Sequence, residues 1–186
     1  MKKVEEIFKK GEWIVHCYHG VGQVKGIDTK RIQGKNKVFI KVKTNAFTYW
    51  LPIFNINSKN IRKISAASTF NKALSIIRKK PEPLNADYRM RKEQIKKEIA
   101  KGSLIPRAKL IRNLFCKQKI NRSYDEEITL EKLKNQFINE WTVASNINKK
   151  IAQQKLNKAL LKSAANLTLE YTNKEHFMRK SKSRKK

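Results

Sequence analysis

Gly11-Glu12-Trp13-Ile14-Val15-His16-Cys17-Tyr18-His19-Gly20-Val21-Gly22-Gln23-Val24-Lys25-Gly26-Ile27-Asp28 is the stretch from which the fold is read. Trp13-Ile14-Val15 has the aromatic and β-branched content of a short strand. Gly20 and Gly22 bracket a turn, where positive φ costs a glycine nothing. Gly22 to Ile27 leaves that turn as a second strand. Working outward, Arg31-Ile32-Gln33-Gly34-Lys35-Asn36 is a polar turn with Gly34 at its apex. Lys37 to Lys43 then alternates, with Val38, Ile40 and Val42 on one face and Lys37, Phe39, Lys41 and Lys43 on the other, the period of a half-buried strand. Phe47 to Leu51 is a fourth strand, which Pro52 stops or sets at an edge. Ile56 to Ile64 holds a last short one, Asn60-Ile61-Arg62-Lys63-Ile64. Four or five short strands with tight turns predict a small, strongly bent, barrel-like sheet.

From Ser68 the apolar period changes to that of a helix. Phe70, Ala73, Leu74, Ile76 and Ile77 form a stripe that ends near Arg78-Lys79-Lys80, and Pro81-Glu82-Pro83 cannot continue it. A second helix is expected from an N-cap near Asp87 to Lys101, with Gly102 as its stop. A third starts at Ser103 and presents Leu110, Ile111, Leu114 and Phe115 inward. Asn121 to Tyr124 reads as a loop. A fourth helix holds Thr129, Leu130, Leu133, Phe137, Trp141 and Val143, and a fifth holds Ile151, Leu156, Leu160, Leu161 and Leu167. The expectation is an α+β chain: residues 1–66 a β-barrel domain, 67–172 an all-α domain of about five helices, and 173–186 a basic disordered tail.

The chain of 186 residues carries 44 Lys and Arg against 15 Asp and Glu, a formal net charge of +29. A field of that size attracts a polyanion or an anionic surface. The last fourteen residues hold seven cations and one acid, a run suited to phosphate contacts without sequence preference. Two cysteines, Cys17 and Cys116, give no disulfide framework and point to a reducing compartment. Met1-Lys2-Lys3 is followed by Val4-Glu5-Glu6 and no apolar core of a signal peptide, and no apolar stretch approaches a membrane span. A cytoplasmic, nucleoid-associated protein is the expectation. His16, Cys17 and His19 are metal ligands by type, but no CxxC or second His pair completes a tetrahedral set. Neither metal nor cofactor is expected, and nothing supplies the cleft, orienter and oxyanion hole of a Cys17–His19 catalyst.

The residues then show a resemblance. Phe8-Lys9-Lys10-Gly11-Glu12-Trp13-Ile14-Val15, His19-Gly20-Val21-Gly22, Ile27-Asp28-Thr29-Lys30-Arg31-Ile32-Gln33-Gly34 and Leu51-Pro52 resemble, in order and spacing, the CarD/CdnL family of bacterial RNA polymerase-binding transcription regulators. Phe70-x-x-Ala73-Leu74-x-x-Ile77-Arg78, a proline break, a basic helix ending Ala100-Lys101-Gly102 and Leu110-Ile111-Arg112-Asn113-Leu114-Phe115 continue the match over roughly residues 6–165. The resemblance implies a Tudor-like polymerase-interacting domain, shared with the transcription-repair coupling factor, that docks on the polymerase β subunit by a strand edge. It implies a helical domain at the upstream edge of the transcription bubble, and no enzymatic activity. Two departures stand out: His16-Cys17 or Cys17-Tyr18 stands where the family has Tyr-Pro, and Tyr88 falls where the family has a DNA-wedging tryptophan.

Tyr88-Arg89-Met90-Arg91-Lys92 suits a minor-groove contact, a ring entering at a base step while cations neutralise phosphates. The plainer alternative is a Tyr in a helix–helix contact above a solvated basic face. Arg78, Lys79, Lys80, Tyr88, Arg89, Arg91, Lys92 and Lys96 are the candidate DNA contacts, with weak sequence preference because phosphates carry no sequence. Lys30, Arg31, Ile32, Thr48, Trp50 and Pro52 are the candidate polymerase contacts, with Trp50 the sharpest, since Trp is enriched at interface hot spots. Its alternative is core packing against Trp13. The expected partners are the polymerase β subunit and promoter DNA, for a monomer with no membrane association. The rival readings are a polymerase-independent nucleoid-type DNA- or RNA-binding protein, and a nuclease using His16 and His19.

Overall fold

The computed structural model describes residues 8–53, 60–117 and 122–183, with side chains through residue 167. Five antiparallel strands come first: β1 Trp13–His16, β2 Gly20–Ile32, β3 Lys35–Lys43, β4 Thr48–Pro52 and β5 Ile61–Lys63, in sheet order β4-β3-β2-β1-β5. Five helices follow: α1 Ala67–Ile77, α2 Tyr88–Ala100, α3 Leu104–Cys116, α4 Tyr124–Ser145 and α5 Lys149–Ser183. The α+β arrangement expected from the change of period is the one observed.

The longest feature of the sheet is the β2–β3 hairpin. Its two-residue connection puts both Gln33 and Gly34 at positive φ, the primed geometry whose twist matches that of the flanking strands. A bulge between Val24 and Gly26 bends β2 partway along. Ile14, Val24, Ile40, Val42 and Leu51 form the core of the sheet, with Phe8, Tyr49, Ile53 and Ile61 packed against it. The turn between β1 and β2 is Cys17-Tyr18-His19, not the segment between the two glycines. Gly22 lies inside β2 opposite Ile14. A Cβ there would stand 2.7 Å from Val42 Cγ1, so Gly22 is required by close packing rather than by φ. The last expected strand, Asn60 to Ile64, is observed as β5, Ile61–Lys63.

The helical core is continuous from Phe70 to Leu160. Phe70 stacks on Trp141, centroids 5.7 Å apart and planes 2° apart, and Phe137 meets both rings edge-on. Trp141 is therefore core, as its spacing implied. α4 begins five residues before its first expected apolar position, at Tyr124. Ser123 and Glu126 form a capping box there. Residues 174–183 continue on the path of α5, whose side chains from residue 168 lie outside the described residues.

The two halves are joined by a buried ionic cluster. Glu140 of α4 is fully buried and receives two hydrogen bonds from Arg62 of β5, at 2.7 and 2.8 Å. Arg62 also donates to the Gly102 carbonyl at 2.7 Å, and the Ser65 amide donates to Glu140 at 3.2 Å. Arg107 of α3 lies 3.6 Å from the same carboxylate and donates to the Cys17 carbonyl. Beside this cluster, Gln136 Nε2 donates to the Tyr18 carbonyl at 2.9 Å. Burial pushes the Glu140 pKa up, and the hydrogen bonds and charges of Arg62, Ser65 and Arg107 more than reverse it, leaving the carboxyl below its usual range.

Candidate functional site

Two surfaces collect the sequence candidates. On the sheet, successive residues face opposite sides. The cross-strand pairs Lys30 with Lys37, Lys41 with Trp50, Lys43 with Thr48, and Phe39 with Pro52 place Lys30, Ile32, Thr48, Trp50 and Pro52 on one outer face. Arg31 pairs with Asn36 and falls on the opposite face, so the structure separates it from the other five.

Trp50 is exposed on this face and not in the core. Its Nε1–H donates to Asp28 Oδ2 at 2.8 Å, and the Lys30 ammonium stands 3.2 Å from the ring centroid. Lys41 approaches the same ring at 5.9 Å. The indole is thus held across β3 by Asp28 and Lys30 of β2, and one large side chain is kept ready beside an edge. β4 pairs with β3 on one side, and the sheet ends there among the described residues. Asp28 and Lys41 were not foreseen. Asp28 shares the period-2 face with Lys30, a signal that was available.

The second surface opens α2. Asp87 caps the helix by accepting from the Met90 amide at 2.8 Å, which aligns Tyr88 at the first helical position. The Tyr88 ring is partly exposed, and its hydroxyl donates to Asp125 at 3.4 Å. It borders a groove of about 270 Å³ between α2 and the start of α4, lined also by Lys92, Ile95, Ile99, Ile128 and Thr129. Lys92 reaches Asp125 at 3.2 Å and Lys96 reaches Glu93 at 2.8 Å, both pairs in solvent. Surface pairs of this kind are worth little and open readily to a phosphate. Arg89 is exposed beside them, and Arg78, Lys79 and Lys80 are exposed just past the end of α1.

Arg91 does not join this surface. It is buried, paired with Glu126 at 2.5 Å, and bonded to the Asn85 and Ala86 carbonyls. Glu126 also receives Lys117. Burial works to raise the Glu126 pKa, and the hydrogen bonds from Lys117, Arg91 and the Ser123 backbone bring it below its ordinary value. Arg91 therefore anchors α2 to α4, because its register places it on the inner side with Ile95.

The altered turn in the sheet domain forms a ring cluster. His16 stacks on His19 at 4.4 Å, and Tyr49 and Phe47 complete the group. His16 Nδ1 accepts from the Tyr18 and His19 amides. Its pKa is pushed down to about 4 by burial and then by His19; that of His19 is lowered by burial and then by Lys132. An unfolded chain binds these protons near the ordinary value of 6.5 and the folded chain does not. Stability is thus complete above about pH 6.5 and declines as pH falls toward about 4. The His16→Asn variant puts an Oδ1 acceptor in place of Nδ1 and is expected to flatten the early part of that decline. Urea midpoints across the interval check it; an unchanged slope would assign the decline to other groups.

Among the described residues no three His, Cys, Asp or Glu side chains are gathered as a metal site, and no helix is long and apolar enough to cross a membrane. Comparison with protein families matches residues 8–65 to the CarD-like/TRCF RID domain and residues 72–157 to the CarD C-terminal domain. The first match spans the sheet with its Trp50 face, the second the helices with Tyr88. The two matches follow one another in the order of the sheet and the helices and together cover most of the chain: it belongs to the CarD family of RNA polymerase-interacting transcription regulators.

Proposed function

We propose that residues 1–66 dock on the RNA polymerase β subunit through the Trp50 face and the outer edge of β4, while residues 67–172 contact promoter DNA near the upstream edge of the bubble and stabilise the open complex. The carrying observation is the Trp50 indole, held by Asp28 and Lys30 beside β4, the strand at which the sheet ends among the described residues. An added partner strand would gain main-chain hydrogen bonds there and find an aromatic anchor next to them. DNA contacts come from Arg78, Lys79, Lys80, Arg89, Lys92 and Lys96, with Tyr88 at the base step and Arg91 holding the helix in place. Tethering to polymerase makes weak, phosphate-based binding effective by raising local concentration. The chain acts as a monomeric adaptor, without catalysis.

Retention of the β subunit by the full chain tests the docking half. Binding of DNA with steep salt dependence and no retention of β would support the nucleoid-type alternative instead. For the DNA half, Tyr88→Ala is expected to shorten open-complex lifetime roughly threefold to tenfold, the scale of one aromatic contact of about 0.5–1.5 kcal/mol. Retention of β should not change. An unaltered lifetime would leave Tyr88 as a helix–helix packing residue.

A further inference from the structure

The ring cluster at the altered β1–β2 turn is used by neither surface above. Tyr18, His19 and Phe47 are exposed there; Tyr18 and Phe47 keep 42% and 46% of their surface open to solvent. Large aromatic faces left open in this way have two uses, protein contact or base stacking. Their position decides between them. Gln136 of α4 holds the Tyr18 backbone, and the exposed Lys132 lies one helical turn before Gln136. On the same helix, Ile128 and Thr129 line the groove beside Tyr88. Positions 125, 128, 129, 132 and 136 fall on one face at helical spacing. The stretch from Thr129 to Gln136 rises only about 10 Å. One face of α4 therefore runs from the Tyr88 groove, past the exposed Lys132, to the Tyr18–His19–Phe47 rings.

We infer that this track, from Tyr88 across Lys132 to Tyr18 and Phe47, is a surface for single-stranded DNA, with bases stacked on the exposed rings and the backbone following the cation. The inference rests on the DNA half of the proposed function and extends it from duplex to an unpaired strand. Stacking needs no sequence readout, because every base has a π-face. A chain with a net charge of +29 supplies the electrostatic attraction. A strand that has just separated at the Tyr88 step would meet the second group of rings within a few nucleotides.

The test uses the full chain with a fluorescent twelve-nucleotide oligo-dT and a twenty-base-pair duplex at one salt concentration. Tyr18→Ala and Phe47→Ala are each expected to weaken oligo-dT binding about tenfold and to leave duplex binding within twofold. Tyr18→Phe keeps a ring and should bind oligo-dT as the parent does, which separates stacking from a loss of fold. Equal weakening on both probes, or none on either, overturns the inference. So does loss of polymerase retention with oligo-dT binding intact, which would make the patch a protein contact. If the parent chain binds the duplex and not oligo-dT, this inference fails alone. If it binds neither, the DNA half of the proposed function fails with it.

Discussion

Replacing Glu140 by alanine is expected to lower the unfolding free energy by about 3–5 kcal/mol, the range for breaking a buried ion pair by removing one partner. The carboxylate is fully buried and is the counter-charge for both Arg62 and Arg107. Arg107 is itself buried, with its side chain 3% exposed. Removal of Glu140 leaves two guanidinium groups together in a site that water cannot replace, and burial already lowers the Arg107 pKa. The loss also crosses the chain, since Arg62 ties β5 to the carbonyl of Gly102 and to α4. Urea unfolding followed by far-ultraviolet circular dichroism measures the change. A shift below about 1 kcal/mol would mean that the arginines are solvated in the variant and that the cluster is not closed to water. Adding Arg62→Ala to Glu140→Ala should cost much less than Arg62→Ala alone, because residues of one network are not additive. The same cluster fixes how the sheet domain is aimed relative to the helices, and hence how far the Trp50 face stands from Tyr88.

This cluster shows where reading from sequence stopped. Local patterns carried the elements: alternation over Lys37 to Lys43 placed Ile40 and Val42 in the core, and the spacing of Phe70, Leu74 and Ile77 placed α1. The loop expected over Asn121 to Tyr124 overlaps α4 by one residue; Asp125, Glu126 and Glu127 fill the first turn, so apolar spacing gives inward positions from Thr129 onward and no exact start. The capping box that marks the true start was present but carries no apolar signal. The basic neighbours of Arg91 suggest a DNA contact, whereas its side chain is buried. Its partner Glu126 is 35 positions away, and no local pattern pairs the two. Glu140 and Arg62, 78 positions apart, are hidden for the same reason. Trp50 could be named, but whether it faced the core or solvent depended on the β3–β4 register, which composition does not set.

Trp50→Ala is expected to weaken binding to the polymerase β subunit by at least about thirtyfold, a hot-spot loss of about 2 kcal/mol or more. The argument is one of preparation. A free exposed indole would have to be immobilised on binding, at a cost of about 0.5–1.5 kcal/mol for an ordered side chain. Here the Asp28 hydrogen bond and the Lys30 contact hold it in advance. Lys30→Ala and Asp28→Ala should therefore weaken binding by smaller amounts while the tryptophan remains, and Trp50→Phe should fall between them and the alanine variant, since it keeps a ring but leaves Asp28 without its donor. Arg31→Ala is the internal control: its side chain lies on the other face of the hairpin, so a change of less than about twofold is expected. Trp50→Ala removes an intramolecular hydrogen bond and a cation–π contact, so urea unfolding of each full-length variant accompanies its titration against the isolated β subunit and separates loss of binding from loss of fold. Trp50→Ala binding within twofold of the parent, or Arg31→Ala losing as much as Lys30→Ala, would move the docking surface away from this face of the sheet.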